Sequence, residues 1–379
     1  MRFLHTADWH LGRTLNGAAF LPDQEIVLGR RFPDLVAETR PDAVLIAGDL
    51  YDRAVPPTDA VRLLDDILER IVLGLGVPVI LIPGNHDDPD RLGFGAKLLR
   101  EAGLHVANAA QGSAIPFADA HGPVAVLATG YASPLLLATL FAEAAVADHD
   151  SGFACICRHL RTLCPAGARS VVVAHAFVAG GAETKEAERA LAVGGAKAVS
   201  PERFAGFHYV ALGHLHRPQT LGEGRLRYSG SPLAYSFAEA AHPKSVTLVE
   251  LDGTGAVRTE AIPLTPPRAL RRIEGSFEQL MQGSPRVAPE DWLSVTLTDR
   301  LPVFEAQRRL AERYPHVLEL AYASHAALDA PRAAAAQPDR VEPLDLLGAF
   351  WAELQGGPLP EPARAVARDA VGRALAAQA

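Results

Sequence analysis

Aspartate and histidine recur in this chain at the points where apolar runs end. Asp8 and His10 follow "MRFLHTA", Asp49 and Asp52 follow "DAVLIAG", and Asn85, His86 and Asp87 follow "VPVILIPG"; His175 closes "SVVVAH", and His214 and His216 close "YVALGHLH". In an extended segment residues i and i+2 share a face, so Asp8 with His10, and His214 with His216, each aim two side chains at one spot. Two carboxylates, one amide oxygen and four imidazoles, with no thiolate, suit Mn²⁺, Fe²⁺ or Zn²⁺ better than a soft or purely oxygen-loving ion. The seven donors, Asp8, His10, Asp49, Asn85, His175, His214 and His216, exceed the four of a structural zinc site. They suit two cations about 3.5–4 Å apart, each with a position open to water or substrate. Asp49 is then placed as the carboxylate bridging the two, which removes its repulsion with its neighbours. Asp52 has two readings, a partner behind a ligand or a turn residue before Pro56 and Pro57. Any one of these residues alone reads as a turn or N-cap residue; their recurrence at five strand ends is what indicates a metal centre.

For the donors to meet, the strands that carry them must lie side by side. The runs "MRFLHTAD", "DAVLIAGDL" and "VPVILIPGNHD" alternate with helix-like stretches, "LPDQEIVLGRRFPDLVAETR", "TDAVRLLDDILERIV" and "RLGFGAKLLREAG". This β-α-β alternation with continuous apolar strands predicts a sheet covered by helices. Donors at the carboxyl ends of its strands converge in one cleft. "PVAVLATG", "SVVVAHA", "YVALGHLH", "LRYSG" and "SVTLVELDG" follow with few helices and hairpin-like spacing, which predicts a second sheet packed on the first. Three prolines in "PLTPPRAL", residues 263–270, mark a linker. Beyond it, "DWLSVTLTD", "PVFEAQRRLAERYP" and "VLELAYAS" read as strand, helix and strand of a small α+β unit. After the Ala- and Pro-rich "ALDAPRAAAAQPDR", the stretch "PLDLLGAFWAELQ" places Leu344, Leu347, Trp351 and Leu354 on one helical face. The expected divisions are 1–265, 266–330 and 340–379.

Of the 379 residues 49% are hydrophobic and 21% charged, which excludes a mostly disordered chain. No uninterrupted apolar run reaches about 18 residues, so no membrane helix is expected. The N-terminus enters a strand at once, leaving no room for a signal peptide, and a cytoplasmic location is the expectation. A net charge of −8 argues against coating nucleic acid by bulk charge; any DNA contact must use local patches or metal ions. Cys155, Cys157 and Cys164 are odd in number and lie in one window, so a disulfide framework is not expected. With His159 they form a C-x-C-x-H spacing that matches no zinc pattern, and small buried side chains are the expected role.

The motifs "DWH", "GDLYD", "GNHD", "AHAFVAGG" and "GHLHRP", in that order, resemble the calcineurin-like metallophosphoesterases. "HTADWHLGR", "VALGHLHRPQ" and "YSGSPLAYSFAEA" are similar to the bacterial DNA-nuclease branch of that family, closely over residues 1–265 and loosely beyond. The resemblance implies an α/β fold (α+β sandwich): a four-layer β-sandwich flanked by helices, with a small α+β capping domain that orients DNA and a C-terminal helical tail. It implies one metal held by Asp8, His10, Asp49 and His216 and a second by Asp49, Asn85, His175 and His214. Mn²⁺ is the implied ion, and His86 the catalytic histidine that is not a ligand. Some relatives carry histidine where this chain has Asp52, at a position linked to exonuclease action, which leaves the role of Asp52 open. Asp87 either orients His86 or caps the following helix.

The implied activity is a double-strand exonuclease and single-strand or hairpin endonuclease in DNA replication, recombination and repair. A small-molecule or protein phosphodiesterase or phosphatase with the same dinuclear site is the alternative. The implied partners are DNA, a long coiled-coil ATPase subunit and a second copy of the chain, a homodimer within a heterotetramer. "AVRLLDDILERI" and "RLGFGAKLLREAG" are the candidate dimer helices, each also readable as core-facing. Arg13, Arg53 and Arg217, beside metal-binding motifs, are candidate DNA contacts. Arg271, Arg272, Arg308, Arg309 and Arg313 are further candidates, with a solvated basic face as the other reading of that helix. The stripe Leu344, Leu347, Trp351 and Leu354 either docks on the ATPase or folds back onto the small domain.

Overall fold

"AVLIA" is apolar at every position because both of its faces are covered. Ala43–Ala47 is buried throughout and lies inside a six-stranded sheet. The sheet runs Val257–Pro263, Ser245–Leu251, Arg2–Thr6, Ala43–Ala47, Val79–Ile82, Leu104–Val106. The last four strands are parallel, as connections through helices require. The computed structural model describes the whole chain except residues 109, 143, 185–197, 284–286, 324–343, 345–346, 349–350, 353–356 and 377–379.

The second sheet runs Gln219–Leu221, Leu226–Tyr228, Tyr209–Gly213, Arg169–His175, Gly122–Ala128, Ser113–Asp119. Its inner face meets that of the first: Phe3, Leu45, Ile80 and Ile82 form one core with Val124, Val126, Val171, Val173 and Ala211. The alternate residues Val172, Ala174, Val210 and Leu212 point the other way, into a core with Phe153, Ile156, Cys157 and Leu160. Period-two alternation buried on both faces is the signature of a strand inside a covered sandwich.

Three expectations are corrected. The centre of the second sheet is parallel rather than hairpin-built. The connection between Gly122–Ala128 and Arg169–His175 includes the helices Pro134–Leu140 and His149–Leu163, which the sequence reading missed. The latter is closed by a capping box in which Asp148 and Ser151 bond each other's backbone N–H. Second, Ser245–Leu251 returns to the first sheet, antiparallel to Arg2–Thr6. Third, "RLGFGAKLLREAG" forms short turns, Pro89–Leu92, Ala96–Leu99 and Arg100–Ala102, rather than one amphipathic helix. Gly95, at φ 72°, stands between the first two of these turns and breaks the helix there. The helix expected from Leu21 to Arg40 does form, α-helical at Leu21–Gln24, π-helical at Glu25–Arg31 and α-helical again at Phe32–Thr39.

The chain divides into two compact units, Met1–Arg271 with Glu290–Trp292, and Arg272–Pro289 with Leu293–Ala379. The second has a core of Phe277, Leu293, Val295, Leu297, Leu310, Tyr314 and Val317. Its expected helix is shorter than read, Ala306–Ala311, and Trp292–Leu297 pairs parallel with Val317–Tyr322. Leu344, Leu347 and Trp351 are helical and half-buried, and Leu354 lies outside the described residues. Among the described residues no helix is long and apolar enough to cross a membrane.

Cys155 and Cys157 are buried on His149–Leu163, Cys164 follows it, and all three are free thiols. Burial pushes the Cys157 thiol up to about 12, where it is neither a nucleophile nor a ready metal ligand. A thiol-reactive chromogen added to the native protein should therefore react at Cys164 and reach Cys155 and Cys157 only in denaturant. Zinc released on modification would contradict this packing role.

Candidate metal centre

Parallel strands of both sheets end at one edge, and their last residues turn sharply into the space between the sheets. Among the described residues seven non-glycine positions have positive φ, and four of them are Asp8 (55°), His10 (44°), Asp49 (50°) and His214 (108°). Backbone strain is thus concentrated at the residues whose donor atoms must converge. It is held by cross-strand bonds: Asp8 N–H donates to Gly48 O at 3.0 Å and His10 N–H to Asp49 O at 2.9 Å. His214 N–H donates to the Asp8 carboxylate at 2.9 Å, tying the two sheets together. Glycine permits the approach. A Cβ on Gly213 would stand 1.9 Å from Ala47 O, and one on Gly48 would stand 2.4 Å from His175 Nδ1.

On one side of the centre, His175 Nδ1 lies 2.9 Å from Ala47 O. A carbonyl only accepts, so this nitrogen carries the proton, and in the neutral ring Nε2 presents a lone pair. That lone pair faces Asn85 Oδ1 at 2.9 Å and Asp49 Oδ2 at 3.5 Å. His214 Nδ1 lies 3.3 Å from the same Asn85 oxygen. Acceptors that point at one another at these distances need positive charge between them.

On the other side, His10 Nε2 lies 3.1 Å from His216 Nε2 and 3.7 Å from Asp49 Oδ2. Donor atoms of Asp8, His10 and His216, and those of Asp8, Asp49 and His175, gather within 4.8 Å of one another. Asp49 Oδ1 is occupied by the His86 N–H at 2.9 Å. Its Oδ2 therefore stands between His10 and His175, the geometry of a carboxylate shared by two cations. All seven predicted donors are brought together, and the set fits a pair of divalent ions.

Burial governs the charge states. It pushes Asp8 up to about 6. It acts the same way on Asp49, but the surrounding His175, His10 and His86 outweigh it and hold that carboxyl below its usual range. Burial lowers His10 to about 4, and burial with the neighbouring His175 lowers His214 to about 3. Both rings are thus neutral at physiological pH, the form that binds metal.

The remaining expectations divide. His86 joins the cluster, its Nδ1 2.8 Å from the carbonyl of Asp52 and its ring edge-on to His10 at 4.7 Å. Asp52 is a partner, not a turn residue: its carboxylate pairs with Arg13 at 2.8 Å and faces His10 Nδ1 at 3.7 Å. Arg13 holds Asp52 through Nη1, and its side chain remains 23% exposed. Arg53 and Arg217 are exposed. The His86 ring bonds to the Asp52 carbonyl rather than to Asp87, and Asp87 does not cap the helix. Its buried carboxylate accepts the N–H groups of Leu50, Tyr51 and Gly84 at 2.9–3.0 Å, which clips two ligand loops together, and the cap is Asp88. Burial, with the charge of Asp49, pushes Asp87 up to about 7. Arg271 pairs with Asp291, Arg308 with Glu305, and Arg309 lies over the Phe277 ring, so these side chains have local partners.

Sequence reasoning missed Glu239 and Lys244. Glu239 Oε1 lies 3.1 Å from His216 Nδ1, and its Oε2 lies 2.5 Å from Lys244 Nζ, which also donates to His216 O. Burial opposes the charge on His216, yet Glu239 wins and raises it; in turn His216 and Lys244 hold Glu239 below its usual range against its burial. Tyr131, edge-on to His175 at 6.3 Å, and Phe177, 6.4 Å from His214, were missed as well. The only sequence signal for Glu239 was its place in the quoted "YSGSPLAYSFAEA".

Residues 1–218 match the calcineurin-like phosphoesterase family, and residues 266–355 match the type 5 capsule protein repressor C-terminal domain. The chain is 33% identical over 321 residues to the SbcD subunit of the nuclease SbcCD from Staphylococcus saprophyticus, an alignment covering 84% of each protein. The crystal structure of TT1561 from Thermus thermophilus aligns over 69% of this chain and 98% of its own, at 14% identity and a TM-score of 0.39.

Glu239 neutralises a buried ammonium and orients a buried imidazole. Its replacement by Ala should cost about 3–5 kcal/mol, the usual result of removing one member of a buried ion pair. Urea unfolding of the metal-free protein measures this, and a loss below about 1 kcal/mol, as for a surface pair, would contradict it.

Proposed function

The chain belongs to the calcineurin-like phosphoesterases and is a phosphodiester hydrolase; on that basis we propose that it is the Mn²⁺-dependent nuclease component of an SbcCD-type complex. The observation that carries this reading is the convergence of His10 Nε2 and His175 Nε2 on Asp49 Oδ2, at 3.7 and 3.5 Å. Asp8, His10, Asp49 and His216 would hold one cation, and Asp49, Asn85, His175 and His214 would hold the other. When bound, such a pair supplies a water acidic enough to act as nucleophile near neutral pH and positive charge for the phosphate. His86, its Nδ1 proton committed to the Asp52 carbonyl, would as an imidazolium give its Nε2 proton to the leaving oxygen, returning to the neutral ring, and is not a ligand. Asp52 and Asp87 position this group, the first through that carbonyl and the second by fixing the loops on either side.

DNA is favoured over a small phosphodiester or a phosphoprotein by the nuclease named in the staphylococcal relative and by a shared length that runs beyond the catalytic unit. At a net charge of −8, phosphate contacts fall to the cations, to part-exposed Arg13 and to exposed Arg53 and Arg217. Residues 266–330 form a cap that orients DNA. The protein acts in the cytoplasm in DNA replication, recombination and repair, as a homodimer within a heterotetramer with an SbcC-type ATPase. Phe94 (87% exposed) and Leu98 (82%) support a dimer surface, as does the adjoining groove of about 710 Å³ lined by Val55, Val61, Leu68 and Leu99. The tail, residues 340–379, docks the ATPase through Leu344, Leu347, Trp351 and Leu354.

The purified chain with Mn²⁺ should cut end-labelled DNA, lose the activity in chelator and regain it with Mn²⁺. Activity confined to a nitrophenyl phosphodiester would favour the small-molecule alternative. Asp49→Ala should weaken binding of both metals. His86→Ala should keep both and lower turnover by a factor of about 10²–10⁴, the range of a general acid. Metal content by mass spectrometry decides, and an emptied site in His86→Ala would make His86 a ligand. Truncation after Arg340 should preserve single-strand cutting while weakening the ATPase complex in co-purification; an undiminished complex would place docking elsewhere.

A further inference from the structure

Gln24 lies outside every metal motif, yet it is wholly buried, with its amide against the backbone of the first ligand loop. Its Nε2 faces Trp9 O at 3.1 Å, His10 O at 2.8 Å and the Tyr235 hydroxyl at 3.1 Å. Its Oε1 accepts from Gly12 N–H at 3.0 Å. The left-handed turns at Asp8 and His10 carry the chain out of its strand; His10 O also accepts from Arg13 N–H at 3.0 Å and Trp9 O from the Tyr235 hydroxyl, so the amide adds a second donor to each and gives Gly12 its acceptor. A single primary amide supplies both, which neither a carboxylate nor an amine does.

Tyr235, bonded to Gln24, also donates to Trp9 O and packs its ring 5.5 Å from His10 and 6.2 Å from His216. The clamp has an outer anchor. Asp23, the adjacent residue and also buried, accepts from Arg268 Nε at 2.9 Å and from Trp292 Nε1 at 2.9 Å. Arg268 and Trp292 lie on the two segments where the chain leaves and re-enters the large unit. Trp292 in turn stacks on Phe20, whose ring is 6.1 Å from Tyr235.

We infer that Gln24 is a positioning residue for one cation only, the one on the His10 and His216 side, and that Asp23 ties this clamp to the segments leading to the small unit. The inference rests on the assignment of donors proposed above. The other side has supports of its own: His175 is held by the Ala47 carbonyl, the backbone after it by the Tyr228 hydroxyl, and the loop before Asn85 by the Asp87 carboxylate; Gln24 reaches none of these.

Titration of the metal-free protein with MnCl₂, followed by calorimetry and electron paramagnetic resonance, tests it. Wild type should take up two ions and show the signal of a coupled pair. Gln24→Ala should bind one ion as before and the other about 10–100-fold more weakly, the usual effect of removing a partner behind a ligand, with a mononuclear signal at one equivalent. Backgrounds identify the ion affected. Adding Gln24→Ala to His10→Ala should change nothing further, whereas adding it to Asn85→Ala should weaken the single remaining ion. Equal weakening of both ions, or no weakening, overturns the inference while leaving the donor assignment intact. Two ions retained by His10→Ala would overturn the assignment itself, and the inference with it. If Gln24→Ala does not fold, Tyr235→Phe decides: it removes one leg of the clamp and should weaken the same ion selectively, and unchanged binding overturns the proposal.

Discussion

The rest of the structure depends on an electrostatic constraint at Asp49. Its Oδ2 sits between two imidazoles, with the lone pair of a third group, Asn85 Oδ1, facing His175. Burial keeps His10 and His214 neutral, so these two rings supply no counter-charge. A buried collection of acceptors is unfavourable without positive charge at its centre. Two divalent ions would satisfy it, and a phosphodiester brought to them would meet concentrated positive charge in a chain whose net charge is negative.

The fold is arranged to hold that convergence. Parallel strands of two facing sheets terminate at one edge, and the strained turns at Asp8, His10, Asp49 and His214 are fixed by bonds that cross between loops. Behind the donors lies a layer of buried polar residues: Glu239 with Lys244 behind His216, Asp87 beneath the Asp49 and Asn85 loops, and Gln24 beneath His10. Each is satisfied by several partners, which is how a low-dielectric interior tolerates polar groups and why they hold the donors rigidly.

The donors themselves were legible because strand ends and i, i+2 spacing are local properties of a sequence. Their supports were not. Glu239 is 23 residues from His216, and Gln24 is 14 from His10, so only the folded chain brings them together. Asp52 and Asp87 were visible, but their roles depend on which way strained loops turn: Asp52 took one of its two readings, the partner behind a ligand, while Asp87 bonds backbone N–H groups that neither of its readings named. Ser245–Leu251 reads like any buried strand, and nothing local to it says which sheet it joins. The helix His149–Leu163 was hidden because Gly152 and two cysteines interrupt the helix-forming residues, while packing against the second sheet overrides that weak propensity.

The central claim is that Asp49 is shared by two cations. Crystals grown with Mn²⁺ and measured at the manganese absorption edge test it directly. The account predicts two anomalous peaks about 3.5–4 Å apart, the spacing of dinuclear hydrolase sites, on either side of Asp49 Oδ2 and with His86 bound to neither. A single peak, or a peak coordinated by His86 in place of His175 or His216, would contradict it.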